Sequence, residues 1–460
     1  MSRIIFHIDV NSAYLSWTAV EQLKSGAKLD IRTIPAIIGG DRKSRHGVVL
    51  AKSIPAKKYG IHTGEPVANA LRKCPDIHME PPNHALYHEY SRRLMDFLHT
   101  YTPDIEQVSV DECYLDFTGI AHRYHSCVSA AFEIKDRVRE KFGFTVNIGI
   151  STNKLLAKMA SDFEKPDRVH TLFPEEIKVK MWPLPVRELY MAGGSSVETL
   201  KKLGIRTIGE LAQADPKILE LHLKSHGRML WNYANGIDDS PVVTWKTEAK
   251  GIGNSTTLPA DVTERGEAAK ILLKLAESVG GRLRKAGQKA GMVSVEIKYA
   301  TFETSSHQKQ LFGETASDTV IYQAAMELFD ELWDGRPIRL LGIRTSKLVR
   351  EDEPWQMSIF DLPQAPAPAQ TGRRMANNGP GKKDPGQKTP GRAGGVRGDE
   401  MAEAGKTERS SANALKQEKL SRALDQIRQR FGEDAVVRGS FLKKADTERR
   451  NTLSPQGGKI

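Results

Sequence analysis

Three acidic residues carry most of the chemistry legible in this sequence. Asp9 follows the run IIFHI (4–8), whose β-branched and aromatic content predicts a buried strand. A carboxylate ending such a strand is costly unless it is paired or holds a cation. Asp111 and Glu112 are adjacent, between the apolar runs 105–108 and 114–117. Neighbours in a regular strand point to opposite faces, so the two acids converge only at the turn of a hairpin spanning 105–117. Each feature alone has a plain alternative, as a helix cap or solvated strand end for Asp9 and a surface turn for the pair. Together, three hard oxygen donors suit Mg²⁺, which keeps several waters and shares its shell with phosphates. Two such ions activate an attacking hydroxyl and stabilise a departing pyrophosphate in an in-line displacement. Cations must also surround the triphosphate, and Lys52, Lys57, Lys58, Lys154, Lys158 and Lys165 are candidates.

The surrounding elements must bring these residues together. Asn11 or Ser12 is placed to cap a helix whose stripe runs Tyr14, Trp17, Val20 and Leu23 to Gly26. A polar stretch, 29–75, holds short strands and the turn Gly39-Gly40-Asp41. Helical spacing then predicts helices over 89–101 and 130–142, the second leading into a strand at 144–150. The mixture predicts an α+β domain with helices on one sheet face. From 171 to 239 the pattern is helical, whereas 251–349 alternates strands (292–299) with helices (264–286 and 317–333), a second α+β domain. Beyond Leu362 large apolar residues almost vanish among Gly, Pro, Ala, Lys and Arg. Such a segment cannot offset its ordering entropy and is expected to be disordered. Helical spacing resumes over 415–431.

A chain of 460 residues is too long for a single core. Its 68 Lys and Arg against 57 Asp and Glu give a formal charge of +11, which favours a polyanionic partner. Cys74, Cys113 and Cys127 form no CxxC pair, so disulfides and structural zinc are not expected. The N-terminal apolar run is too short for a signal sequence, and no run approaches the roughly 20 apolar residues of a membrane span. A cytoplasmic, membrane-free and monomeric protein is expected.

Four segments, in order, resemble the Y-family (translesion) DNA polymerases: HIDVNSAYLSW (7–17), AKSIPAKKYGIHTGEP (51–66), SVDECYLDF (109–117) and GISTNKLLAKMASDFEKPD (149–167). The resemblance covers about 4–349 and implies a right-handed α+β polymerase. Its palm falls at 1–18 and 76–172, small fingers at 19–75 and a helical thumb at 173–239. A linker at 240–250 leads to an α+β little finger at 251–349. A clamp-binding peptide (350–363), a disordered basic linker (364–411) and a C-terminal helix and tail (412–460) complete the chain. The resemblance implies a Mg²⁺-dependent, low-fidelity DNA polymerase acting in lesion bypass and repair, with primer–template DNA and dNTPs as substrates. Asp9, Asp111, Glu112 and the Val10 carbonyl would hold two Mg²⁺ ions.

Further roles come with the resemblance. Tyr14 falls at the family's steric gate, where a ring against the sugar C2′ rejects a ribose hydroxyl. Lys165, Lys57 and Lys52 would grip the triphosphate. Ile54 and Lys57 stand where the family commonly has a Tyr and an Arg, so a hydrogen-bonding group and a bidentate fork are replaced; Lys52 or Ser53 is the expected compensation. Cys113 is expected to be a small buried hydrophobe. The stretch 190–211 resembles a helix-hairpin-helix motif, with Gly193 and Gly204 matching and Met191 replacing a glycine. Gly193, Gly204 and Lys154 would contact DNA, as would basic residues of 251–349 such as Arg282, Arg284 and Lys285. Gln356, Ile359 and Phe360 resemble the peptide that docks on the bacterial sliding clamp. The competing readings are a catalytically inactive family member serving as a clamp-bound scaffold and a nucleotidyl cyclase-like palm enzyme. Loss of an acid would mark the first, and the hairpin, basic domain and clamp-like peptide are unexplained by the second.

Overall fold

The computed structural model describes residues 3–40, 47–245, 248–352, 419–432 and 435–436. The calls on 364–411 and on Gln356, Ile359 and Phe360 lie outside the described residues. Two compact units divide the chain at 247/248.

The first unit begins with β1 (Ile5–Val10) and α1 (Ala13–Lys24). The strand runs past the expected 4–8 and includes Asp9. Neither Asn11 nor Ser12 caps α1 with its side chain; Ser12 takes the left-handed conformation, and Ser16 Oγ donates to the Asn11 carbonyl at 2.6 Å. A small sheet follows, made of β2 (Ala36–Gly39) and β3 (Val49–Lys52), with α2 (Ile54–Lys57), α3 (Val67–Lys73) and β4 (His78–Glu80). It has its own core of Ile37, Val49, Ala56, Ile61 and Val67.

The larger sheet is built by α4 (His84–Leu98), β5 (Ile105–Gln107), β6 (Glu112–Asp116), α5 (Cys127–Phe142), β7 (Val146–Ser151), α6 (Lys154–Ser161) and β8 (Val169–Thr171). Its strand order is β5-β6-β1-β7-β8, which places β1 at the centre between the hairpin strand and β7. Helix α4 starts five residues before the expected 89 because Asn83 accepts from the Leu86 amide. Ser126 and Ser129 likewise cap α5 and start it at Cys127, ahead of the expected 130. Helix α6 lies so close to β7 that a Cβ on Gly149 would come 2.0 Å from the Ala157 carbonyl oxygen. Only glycine permits this approach, which brings Lys158 over the sheet.

Four helices complete this unit: α7 (Gly194–Lys202), α8 (Ile208–Gln213), α9 (Pro216–Leu223) and α10 (Ser225–Ala234). Their core continues into Leu155, Leu156 and Met159 of α6.

In the second unit, β9 (Gly251–Val262), α11 (Arg265–Lys285), β10 (Gln288–Tyr299), β11 (Thr304–Thr315), α12 (Asp318–Leu332) and β12 (Ile338–Arg350) form an antiparallel sheet ordered β11-β10-β12-β9. Leu272, Leu275 and Val279 of α11 and Ile321 and Phe329 of α12 share one core with Val293, Val295 and Ile343 of the strands. Residues 419–431 form a further helix, α13, seated on this unit. The Arg284 guanidinium is 8 % exposed and grips Asp425 of α13 through two bonds of 2.6 and 3.0 Å. Ser421 donates to Asp318 at 2.9 Å, and Arg428 reaches Glu277. Arg284 is therefore a buried structural cation, which corrects its expected place among exposed DNA-facing basic residues.

Loss of Asp425 leaves Arg284 with Asp318 at 3.6 Å and the Ala316 carbonyl at 2.7 Å, so the cost falls below the roughly 3–5 kcal/mol of a stranded buried charge, yet α13 loses its two-bond anchor. Asp425→Ala should therefore accelerate tryptic cleavage within 419–431 while leaving α11 and α12 protected. Unchanged cleavage would refute the docking.

Candidate functional site

The acids meet at one corner of the larger sheet. His7 and Asp9 share one face of β1 by strand alternation, while Ile8 and Val10 bury on the other. Asp9 lies opposite Glu112 on β6 and opposite Asn147 on β7. The hairpin β5–β6 turns through 108–111, as its acid pair requires, with the Val108 amide donating to the Glu112 carbonyl at 3.1 Å. Ser109 shapes this turn. Its hydroxyl accepts from the amides of Asp111 and Glu112, both at 3.2 Å, and donates to Asp111 Oδ1 at 2.6 Å. The Val10 amide donates to the Asp111 carbonyl at 3.0 Å and ties the turn to β1. The adjacent acids thus leave the strand's alternation through a serine-bound turn.

Cationic side chains from α6 and the following loop face this corner. The Lys158 ammonium lies 3.1 Å from Glu112 and 3.4 Å from Asp162. Lys165 is hydrogen-bonded to Asp9 and lies 2.9 Å from Asp162. Burial lowers the pKa of both lysines, but the Asp9 and Asp162 charges outweigh it and both are raised. Beneath Glu112, buried His7 presents Nε2 at 3.4 Å and Nδ1 to Ser161 Oγ at 2.8 Å. Burial keeps His7 neutral by lowering its pKa. The neutral ring serves Glu112 best as the Nε2–H tautomer, while Ser161 Oγ lies between Nδ1 and the Lys158 carbonyl, 2.8 Å from each. The bond from His7 and the Lys158 charge hold the Glu112 carboxyl at about 2. Asp111 is shifted the other way: burial, with the charges of Asp9 and Glu112, raises its pKa against the Ser109 bond.

This donor set fits a hard divalent cation. Three carboxylates and a strand-end carbonyl are oxygen donors of the kind such a cation takes, and Asp111 is raised first by burial and then by the charges of Asp9 and Glu112. Among the described residues no three His, Cys, Asp or Glu side chains already converge as a metal cluster. Asp9 and Glu112 instead face ammonium groups, which a bound cation must displace or share.

The other sequence candidates fall in different places. The Tyr14 ring, half-buried on α1, stacks on Tyr87 at 4.3 Å and 5°, and the charge of Asp111 helps raise its pKa after burial. Lys52 and exposed Lys57 sit together, since burial and then the Lys57 charge lower the Lys52 pKa. Ile54 is exposed. Ser53 is buried and accepts from the Ala56 amide as the cap of α2, so it is not free to compensate at the triphosphate. The Lys154 amine is bound by both Glu106 oxygens, at 2.7 and 2.8 Å, and by the Pro241 carbonyl. The Val243 amide donates to the same carboxylate, so Lys154 and Glu106 together pin the chain leaving this unit. Gly193 precedes α7 and Gly204 follows it at φ 82°, with open space around both. Met191 adopts the left-handed φ of 69° that a glycine takes freely. Cys113 is fully buried and its thiol is pushed up by burial, in keeping with a small hydrophobe.

Sequence reasoning missed His7, Ser109 and Asp162. His7 carried a signal, because a residue two before Asp9 shares its strand face. Ser109 carried another, as a hydroxyl two and three residues before the acids it binds.

The impB/mucB/samB family matches residues 8–162, and the same family's C-terminal domain matches 249–359. A DNA polymerase IV of Clostridium acetobutylicum is 51% identical over 361 residues, covering 78% of this chain and 91% of that protein. A DNA polymerase IV of Clostridium kluyveri is 32% identical over 447 residues, covering 97% of this chain and 100% of the other. Among solved structures, a Y-family DNA polymerase chimera, Dbh-Dpo4(243-245)-Dbh, matches with a TM-score of 0.66 at 23% identity, covering 75% of this chain and 99% of that one. At that identity the likeness speaks for the fold.

The site predicts a pH dependence for cation binding. With its pKa raised, Asp111 takes up a proton at higher pH than an ordinary Asp, whereas Glu112 stays ionised to lower pH. Mn²⁺ affinity, read by electron paramagnetic resonance, should weaken about tenfold per pH unit below the Asp111 pKa, as one linked proton requires. A flat affinity down to pH about 4, near the unperturbed Asp value, would contradict this linkage.

Proposed function

The chain belongs to the Y family of DNA polymerases, and from that premise we propose that it extends a primer 3′-hydroxyl with template-selected dNTPs, at low fidelity and across damaged template. The observation that carries this reading is the placement of Asp9 opposite Glu112 in register, with the Asp111 turn tied to Val10, at one sheet corner faced by Lys158 and Lys165. Y-family polymerases are metal-dependent, and here Asp9, Asp111, Glu112 and the Val10 carbonyl would hold two Mg²⁺ ions. When bound, such ions acidify the primer hydroxyl and neutralise charge on the departing pyrophosphate.

The remaining work belongs to the chain's own groups. His7 and Ser109 hold the Glu112 and Asp111 carboxylates from behind, whatever the lysines in front of them exchange for. Lys165, beside Asp9, exchanges that partner for the triphosphate. Lys52 and Lys57 supply further positive charge from the small sheet, while Ile54 adds no hydrogen bond. Stacking on Tyr87 holds the Tyr14 ring, and a ring so held blocks a ribose 2′-hydroxyl by collision. The open backbone at Gly193 and Gly204 suits close approach of a DNA phosphate. Gln356 would hydrogen-bond at the edge of a sliding-clamp pocket, and Ile359 and Phe360 would fill its apolar groove. The presence of all three acids disfavours an inactive scaffold.

Primer extension by the purified chain tests this reading. Asp111→Ala with Glu112→Ala should abolish synthesis, and Tyr14→Ala should admit ribonucleotides while retaining deoxynucleotide incorporation. Synthesis that survives loss of both acids would overturn the metal assignment. Unchanged sugar selectivity would remove Tyr14 from the account.

A further inference from the structure

Lys165 sits in a turn that regular backbone hydrogen bonding does not hold. Among the described residues, no backbone–backbone hydrogen bond involves 164–167. Side chains hold the turn instead, from two sides.

On the inner side stands Asn147 of β7, fully buried and directly opposite Asp9 in the strand register. Its amide nitrogen donates to the Ser161 carbonyl at 3.0 Å and to the Glu164 carbonyl at 2.7 Å. Its oxygen accepts from the Arg168 amide at 3.2 Å. Two carbonyls on one end and an amide on the other fix which way the Asn147 side chain points. These three bonds go to the segment that brackets Lys165, and they bridge that segment to the strand beside Asp9.

On the outer side, Asp167 occupies the left-handed region at φ 60°. Its carboxylate accepts from Lys135 at 3.1 Å and from Arg139 at 2.7 Å, both on α5. Lys135 is itself only 5 % exposed, so this anchor is fixed within the fold. Between the two anchors the Lys165 ammonium projects to Asp9 and Asp162.

We infer that Asn147 and Asp167 are positioning residues that set the Lys165 ammonium where the phosphates of the incoming nucleotide arrive. They act through Lys165 alone and touch neither substrate nor the reacting atoms. The inference rests on Lys165 being a triphosphate ligand. It assigns control of nucleotide affinity to a buried amide and a loop carboxylate that lie outside the acid cluster. A lysine on four rotatable bonds loses much side-chain entropy when held at one point. Anchoring its backbone on both sides removes part of that loss before the nucleotide binds.

Single-nucleotide incorporation by the full chain, with kcat and KM for the dNTP measured separately, tests this inference. Asp167→Ala and Asn147→Asp should each raise KM about tenfold, as displacement of a positioned group does, with kcat changing far less. Lys165→Ala should raise KM as well, and in that background neither substitution should raise it further, because their effect passes through the missing ammonium. Asp167 is in a surface loop, so its variant keeps the test alive if Asn147→Asp does not fold. Effects that remain fully additive with Lys165→Ala, or that fall on kcat and thermal stability alone, would reduce both residues to structural supports. If Lys165→Ala leaves KM unchanged while loss of Asp111 and Glu112 abolishes synthesis, the triphosphate role of Lys165 fails and this inference with it.

Discussion

The site depends on charge balance at the end of β1. Three carboxylates close together repel one another, and in a partly buried corner that repulsion is only weakly screened. The sheet forces the juxtaposition. Asp9 and Glu112 are register partners, and the Ser109 turn holds Asp111 beside them. Lys158 and Lys165 offset the resulting charge, and neutral His7 adds a hydrogen bond to Glu112. Much of the fold around the site can be understood as the means of delivering those three groups. The central position of β1 exposes it to the hairpin on one side and β7 on the other. The glycine at 149 lets α6 settle on β7, and α6 carries both Lys158 and the Ser161 hydroxyl that orients His7.

This balance has a functional consequence on the proposed reading. Lysines that neutralise the acids are also the groups best placed to meet phosphates. Arrival of a cation with its triphosphate lets one set of contacts replace another. On that reading Lys165 would exchange Asp9 for a phosphate, and Asp9 would exchange an ammonium for a cation. Net charge in the corner stays nearly constant through that exchange, so neither the acids nor the lysine is left buried and unpaired. Glu112, held low by His7 and Lys158, is the carboxylate most firmly kept ionised, whereas Asp111 is the one most in need of added positive charge.

The sequence made the acids and their hairpin legible because the evidence is local. An apolar run ending in Asp9 and two apolar runs flanking Asp111 and Glu112 suffice to predict a strand and a turn. Element ends were less legible, since Asn83 and Ser126 start helices earlier than apolar spacing suggests. Partnerships between distant residues were not legible at all. The Lys154 amine is held by Glu106, 48 residues away, a partner that no local pattern announces. Arg284 looked like part of a basic surface, yet its partner Asp425 is 141 residues distant. Ser53 is absorbed by a helix cap, a local event that a short four-residue helix hides from periodicity. The roles of charged residues depend on which charge the fold brings to them, and single-sequence patterns do not carry that information.

The most direct measurement is the Mn²⁺ affinity of the native chain and of Lys165→Ala, each with and without a non-hydrolysable dNTP analogue. The exchange described above makes Lys165 a competitor of the free cation and an ally of the cation–nucleotide complex. Lys165→Ala should therefore bind free Mn²⁺ more tightly, while its affinity for the Mn²⁺–analogue complex falls about tenfold, the weight of one charged hydrogen bond. Two affinities that fall together, or that both stay unchanged, would contradict the account.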